Sequence, residues 1–421
     1  MLMFLAPKWK YKKITYICLQ LLSTMPHIHD RQTSFSPHPP ALSVCFLAGC
    51  ENEYFKTGSI HIQLKKPSGY ADISLANIPV TLINQSIGCV YTTTTDTNGL
   101  ALFELTAGIC AISANQETTT GNRDYILSGS LSNIQFEANG EERSVEIPLE
   151  VSERGRLLIS EIYFSGCLWP DGKNVYNKDQ YLTLVNNSDD LIFLDGLCIA
   201  QAGPVSVTKP SGWMLHTDMK EIPLFMMCWE FPGTGAEYPI QPGERQTIAI
   251  NAINHTNSEV GVPASLDLSS VEWAFWDPIL TGSQISAGVK PLNLVWRGTG
   301  FSYLFSMNGP TILLFRPKTD LREWIANPDH IQKEPESFNT LKYLHIPADW
   351  VLDIANFVSS TSTVAYTRIP SSMDVSPGIA TSGGSGLAMR RKYEQEGKRF
   401  RWKDSNNTAE DFEKSPPSLK R

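Results

Sequence analysis

Beyond residue 55, apolar residues recur at every second position in short runs. Ile60, Ile62 and Leu64 form one such run, Ile78, Val80 and Leu82 a second, and Val145, Ile147, Leu149 and Val151 a third. A period of two puts alternate side chains on one face, so each run predicts a strand with one face toward a core. The chain's organising stretch covers residues 156–200. Strand-like runs at 157–164 and 180–185 are followed by the turn-forming cluster Asn186-Asn187-Ser188-Asp189-Asp190. A third run at 191–194 then stops at Asp195-Gly196, a dipeptide that accepts the positive φ of a tight turn. This pattern predicts an all-β chain, with 156–200 as an antiparallel sandwich edge.

The first 49 residues follow another pattern. Lys8, Lys10, Lys12 and Lys13 precede an apolar stretch at 14–25, a polar stretch at 26–40 and a second apolar run at 41–49. The last run ends Leu47-Ala48-Gly49-Cys50, which has the form of a bacterial lipobox: small residues precede a cysteine whose thiol takes a diacylglycerol. Residues 1–49 are therefore expected to be a signal segment, Cys50 the lipidation site and 50–54 a short linker. Two or more acyl chains give stable anchoring. The expected location is the cell envelope, as a surface-exposed outer-membrane lipoprotein. Neither apolar run alone makes a full signal core, which leaves the true start codon open.

Net charge changes the picture only by exclusion. The whole chain carries −8, and removal of residues 1–49 leaves 30 basic against 42 acidic side chains. An acidic protein of this kind lacks the cations that neutralise phosphates, so nucleic acid is not an expected partner. None of the eight cysteines forms a CxxC pair, which removes zinc-ribbon and thioredoxin-like readings. Cys89 and Cys110 fall in one unit and either pair across it or remain buried thiols.

Two stretches carry family likeness. Thr95, Asp96, Gly99, Ala101, Phe103 and Gly108 resemble the T-D-x-x-G-x-A-x-F run and following small-Gly turn of carboxypeptidase-regulatory-like, transthyretin-like sandwiches. Ile109-Cys110 stands where that family expects an aromatic. Ile159-Ser160-Glu161-Ile162-Tyr163, Tyr181–Asn186, Val351-Leu352-Asp353-Ile354 and Asp404-Ser405-Asn406-Asn407-Thr408 with Asp411-Phe412 resemble a lamin-tail-type, immunoglobulin-like sandwich. With the lipobox, the whole resembles a family of uncharacterised surface lipoproteins of Bacteroidetes. The resemblance implies two sandwiches, at 55–151 and 155–412, with a frayed tail at 413–421. It also implies a non-catalytic spacer role for the first sandwich, and imports no chemistry for the second.

Candidate sites come from the residues themselves. Long insertions at 201–237 and 258–300 concentrate Trp213, Trp229, Trp273, Trp276 and Trp296. Those tryptophans either form satellite clusters under the loops or pave a binding face. His255, with Asp267 close in sequence, and Asp195 are expected to organise loops. The Asn186–Asp190 and Asp195 oxygens could hold calcium, but their spacing is not that of an EF-hand and turn chemistry accounts for them. No HExxH or GxSxG is present, and Gly383-Gly384-Ser385-Gly386 reads as a flexible crossing rather than a phosphate loop. Arg390, Arg391, Lys392 and the basic residues of 395–403 flank Trp402 as a basic patch, either a solvated face or a contact for an acidic partner or lipid headgroups.

The sequence thus predicts a non-catalytic envelope lipoprotein acting as a surface binding or assembly module, without cofactor or metal. Its expected partners are the membrane, through the lipid, and a protein or outer-membrane transporter. An accessory subunit of a TonB-dependent uptake system is one alternative. An extracellular hydrolase with its active site in the insertions is the other, and it requires a close pair of buried carboxylates in a cleft.

Overall fold

The alternation at the start of the described chain becomes a strand at Thr57–Lys65, in which Ile60, Ile62 and Leu64 are buried. The computed structural model describes residues 57–67, 73–120, 123–138, 142–153, 155–205, 208–397 and 399–419. Thr57–Lys65 is the middle strand of a three-stranded sheet, between Leu100–Thr106 and Glu142–Pro148. A five-stranded sheet runs in the order Cys89–Thr94, Pro79–Asn84, Gly108–Thr120, Arg123–Phe136, Glu150–Glu153. Ile60, Ile62, Phe103 and Ile147 of the first sheet share one core with Val80, Leu82, Ile112 and Ile134 of the second.

The Thr95–Gly99 turn differs from a hairpin. Its two flanking strands lie in different sheets, so it carries the chain from one layer to the other. Asp96 fixes the turn by accepting from the backbone of Asn98 and Leu100, each at 2.8 Å. Gly99 takes a φ of 78° there, a region favouring glycine. Cys89 and Cys110 both lie opposite Asn84, on the two neighbours of its strand. Their backbones are therefore about 10 Å apart on the usual strand spacing, beyond disulfide reach.

The larger part packs a seven-stranded sheet on an eight-stranded one. The first runs Lys290–Pro291, Trp273–Ala274, Arg245–Ala249, Tyr181–Asn186, Leu157–Tyr163, Ala388–Arg391, Phe412–Ser415. The second runs Ile331–Lys333, Lys342–Pro347, Glu221–Glu230, Cys198–Ala202, Thr311–Phe315, Val351–Val358, Gly378–Ile379, and its eighth strand, Asn293–Arg297, pairs with the far half of Glu221–Glu230. Ile159, Leu182, Leu184 and Ile248 meet Ile199, Trp229, Ile312 and Phe357 between them. Both sheets are covered on their outer faces too, which is why every residue of Leu157–Tyr163 and Tyr181–Asn186 is buried. These two strands are therefore central, not the expected edge. Ile192–Phe193 leaves them and pairs with Pro239–Ile240.

Other expectations are corrected by the same burial. The 201–237 insertion contains the ten-residue strand Glu221–Glu230, inside the second sheet. Gly384 and Gly386 do not form a free crossing: their amides donate to Ser165 and Gly166 carbonyls at 2.7 and 2.9 Å. The tail does not fray at Phe412. Phe412–Ser415 pairs with Ala388–Arg391. Farther on, Ser418 donates its amide and hydroxyl to the buried Glu161 carboxylate at 2.8 and 2.6 Å.

One buried cation ties the two sheets together. Arg391 is 1% exposed and grips both Asp353 oxygens at 2.6 and 2.8 Å. It also donates to the Ile159 and Lys403 carbonyls, and lies 3.5 and 3.4 Å from Asp404 and Asp411. Asp353 in turn accepts the Ile159 amide at 2.6 Å, and Asp404 the Gly155 amide at 2.7 Å. Close by, Asp374 accepts from the Thr408 amide and the Asn356 side chain at 2.7 and 2.8 Å.

Removing the cation leaves three buried carboxylates uncompensated. Arg391→Met should therefore cost about 3–5 kcal/mol in urea unfolding, and Arg391→Lys, which cannot grip Asp353 with a planar fork, most of that. A loss below about 1 kcal/mol in both variants would refute the role given to this network.

Burial pushes the Asp374 carboxyl up to about 7 from its ordinary 3.8, although its hydrogen bonds lower it. Burial likewise pushes Asp353 up to about 7, against the pull of Arg391. The folded protein thus holds protons that the unfolded chain loses from about pH 4 upward. Stability from these groups is greatest below that window and declines as pH rises toward about 7. Asp374→Asn should reduce the decline in unfolding free energy across pH 4–7. An unchanged pH profile would contradict the assignment.

Candidate functional site: an arginine–aromatic cleft

The central strands also position a second group of arginines. Arg245 begins the Arg245–Ala249 strand and Arg390 lies in Ala388–Arg391, on the other side of the two middle strands of the same sheet. Beyond Arg391 the chain makes a two-stranded hairpin, Tyr393–Glu396 with Arg399–Trp402, that folds back toward them. The hairpin is clamped by the Asn-rich turn of the organising stretch. Asn187 accepts the Trp402 amide at 2.9 Å and donates to its carbonyl at 3.1 Å. Asp189 pairs with Arg399 and Arg401. On the remaining side run Ser415, Pro416, Pro417 and Ser418.

Together these elements enclose a cleft of about 410 Å³ lined by Arg245, Arg390, Tyr393, Phe400, Trp402 and the 415–418 segment. Its aromatic wall is a cluster: Tyr393 meets Phe400 and Trp402, each at 4.9 Å between ring centres. Tyr393 and Phe400 are 43% and 41% exposed, whereas Trp402 is buried. The Arg245 guanidinium sits 5.4 Å from the centre of the Trp402 ring.

The basic groups are not fully matched. Arg245 donates one N–H to the Ser418 carbonyl at 3.2 Å and lies 3.8 Å from Glu161. Its Nε and Nη2 are buried without a hydrogen-bond partner among the described residues, as is Nε of Arg390. Glu161 has other obligations, to Tyr181 and twice to Ser418. Glu413 stands 4.0 Å from Arg390 at a half-exposed position. Burial, with Arg390 as a like charge beside it, pulls Arg245 below the usual guanidinium value, while Glu161 pulls it back. A desolvated cation with unmatched donors is costly, so this arrangement favours an incoming anion.

Two other clefts offer less. One of about 580 Å³ is lined by Ser128 and Glu150 on one side and by Arg316, Asp353 and Asp404 on the other. It holds the close pair of buried carboxylates that a hydrolase would need. Both are engaged by Arg391 and backbone amides, and Arg316 is engaged by the Asp195 and Phe193 carbonyls at 2.8 Å. A smaller cleft of about 290 Å³ reaches Tyr176 and His255. Both His255 ring nitrogens are occupied, by the Tyr176 hydroxyl at 2.6 Å and the Asn251 carbonyl at 3.0 Å. Burial lowers the His255 pKa from its ordinary value.

The tryptophans do not form a binding face. Trp213, Trp229, Trp273 and Trp296 are buried, and only Trp276 is half-buried. Trp229 packs against Phe275 and Tyr303 between the sheets, Trp273 against Phe231 and Tyr238, and Trp213 against Tyr343 and His345 on the outer face of the eight-stranded sheet. Large apolar rings supply core area that strands of this length need on both faces. Asp195 accepts three amides, from Gly235, Glu237 and Tyr238, and so holds the 231–238 loop. Asp267 accepts the Ser269 amide and hydroxyl at 3.0 and 2.6 Å, and its backbone bridges Asn254 beside His255. Cys50 lies outside the described residues. Among the described residues, no group of three or more metal-ligating side chains is gathered, and no helix is long and apolar enough to cross a membrane.

The patch around Trp402 was legible as basic, but its division was not. Arg391 turns inward to the carboxylates, while Arg390, its neighbour on a strand, faces the cleft. Period-two alternation is the signal that separates them.

Residues 241–418 match the family model described as "Protein of unknown function (DUF4876)". That stretch contains every residue lining the cleft. A crystal structure of a DUF4876 family protein from Bacteroides thetaiotaomicron is similar in fold, with a TM-score of 0.55 and 24% identity over 85% of this chain and 94% of that one. A candidate adhesin from Bacteroides ovatus aligns over 73% of this chain and 98% of its own at 10% identity, with a TM-score of 0.20, too low to support an argument. No curated protein matches the chain. The similarity supports the all-β sandwich architecture found here.

Proposed function

We propose that this is a non-catalytic binding protein of the bacterial cell envelope, anchored by lipid at Cys50, and that its ligand site is the arginine–aromatic cleft. The observation that carries the reading is the pair of arginines whose buried N–H groups lack partners beside an exposed aromatic wall. Arg391 and its carboxylates satisfy one another, and other unmatched ionic atoms occur singly, as Nε of Arg399 and Nε2 of His345 do, whereas three guanidinium nitrogens of two arginines come together at this cleft. A protein that leaves donors unmatched at one open cleft has reason to keep them for a ligand. The cleft's size lies within the range of small-molecule sites, about 300–1,000 Å³. The Leu47-Ala48-Gly49-Cys50 run supports the envelope address. A carboxylate pair fully engaged by Arg391 and backbone amides favours binding over hydrolysis.

Thermal unfolding across a panel of small anions at fixed ionic strength tests the reading. At least one anion should raise the melting temperature of the wild type and lose that effect in Arg390→Gln. Equal shifts in both proteins, or none in either, would contradict a ligand site here.

A further inference from the structure

Resting on that reading, we infer that the cleft takes a ring-bearing monocarboxylate: one carboxylate drawn between Arg245 and Arg390, with a flat ring face laid against Tyr393 and Phe400. Three features select this class.

Charge sets the valence. Two guanidiniums face the cleft, but Glu161 stands 3.8 Å from one and Glu413 4.0 Å from the other. Both acids offset part of the positive charge. With an acid beside each guanidinium the cleft tolerates at most one added negative charge, whereas a phosphate dianion would add repulsion from a buried Glu161 that cannot move away, because Ser418 and Tyr181 hold it.

Geometry sets the anion. A guanidinium presents its donors in a plane, which suits the two coplanar oxygens of a carboxylate. The groups waiting are Nε of Arg390 and Nε and Nη2 of Arg245. The Arg390 side chain is 24% exposed, so a modest rotation brings its Nε to the opening.

The wall sets the body. Phe400 and Tyr393 keep 41% and 43% of their surface exposed and are locked edge to face at 77°, so their rings cannot collapse over the arginines. A bare inorganic anion would make no use of them. A ring would, whether its face is aromatic or the C–H face of a sugar. Both kinds of acid share the recognised chemistry, and the cleft of about 410 Å³ admits either.

Calorimetric titration of the full chain discriminates these sources and tests the class. The probes are sodium D-glucuronate and indole-3-acetate, their neutral counterparts D-glucose and indole, and inorganic phosphate. At least one of the two ring acids should bind about tenfold or more tightly than its neutral counterpart and than phosphate, and which one does identifies the body as sugar or aromatic. Arg390→Gln should weaken that acid about tenfold or more. Phe400→Ser should weaken the ring acid while leaving the much weaker binding of acetate unchanged. Both substitutions are on partly exposed side chains, so the fold is retained, and Arg245 stays in place. Phosphate binding as tightly as the ring acids, or neutral rings binding as tightly, would overturn the ligand class while leaving a ligand cleft in place. No binding by any probe, with no change in either variant, would overturn the cleft reading as well.

Discussion

The structure depends on one desolvated cation. Arg391 sits between the two large sheets with five hydrogen-bonding or ionic partners. Those partners come from strands far apart in sequence, Leu157–Tyr163 and Val351–Val358, and from the 403–411 turn. A buried charge must be matched wherever it is placed, and matching Arg391 fixes the distance and register of everything that reaches it. Asp404 extends the same tie to Gly155, where the chain passes from the first sandwich into the second. The Asp404-Ser405-Asn406-Asn407-Thr408 and Asp411 motif is thus structural. Asp411 accepts from Ser405, Asp404 and Asp411 flank Arg391, and Thr408 reaches both Asn356 and Asp374.

The neighbouring residue tells the other half of the story. Arg390 and Arg391 are adjacent on a strand, so their side chains take opposite faces. One is saturated with carboxylates and carbonyls. The other joins Arg245 on a face where acids are few and already engaged. Two arginines of similar chemistry therefore have different consequences: the first adds order, the second leaves a local excess of donors. The hairpin that walls this excess is held by Asn187 and Asp189, so the turn cluster of the organising stretch supports the cleft from behind.

Much of the fold was legible from apolar runs bounded by turn residues. The run at 60–64 became a strand with alternate residues buried, and those at 78–83 and 157–164 became strands buried at nearly every position, as strands covered on both faces are. What could not be read was which strands meet. The Thr95–Gly99 turn looks like a hairpin by composition, but its strands part into two sheets because Ile78 and Leu75 take the hydrogen bonds of Thr95. Long Trp-rich stretches looked like loops since their strands are short or bulged, as at Ala200–Gln201 and Cys228–Trp229. Their tryptophans then fill the core between and behind the sheets. The cleft was half visible, as a basic patch around Trp402. Arg245 escaped notice because it lies some 150 residues away in sequence and enters only through sheet pairing.

The arginines of the seven-stranded sheet fall into two kinds: Arg391 is saturated, whereas Arg245 and Arg390 keep N–H groups without a partner among the described residues. Nitrogen–proton correlation spectra of the arginine Nε–H groups address this division directly, with the resonances assigned by single substitutions and sodium D-glucuronate or indole-3-acetate titrated in. On addition of a ring acid Nε of Arg390 and Arg245 should shift while Nε of Arg391, already bonded to the Ile159 carbonyl, stays fixed. Shifts at Arg391, or none at Arg245 and Arg390 with either acid, would contradict this division.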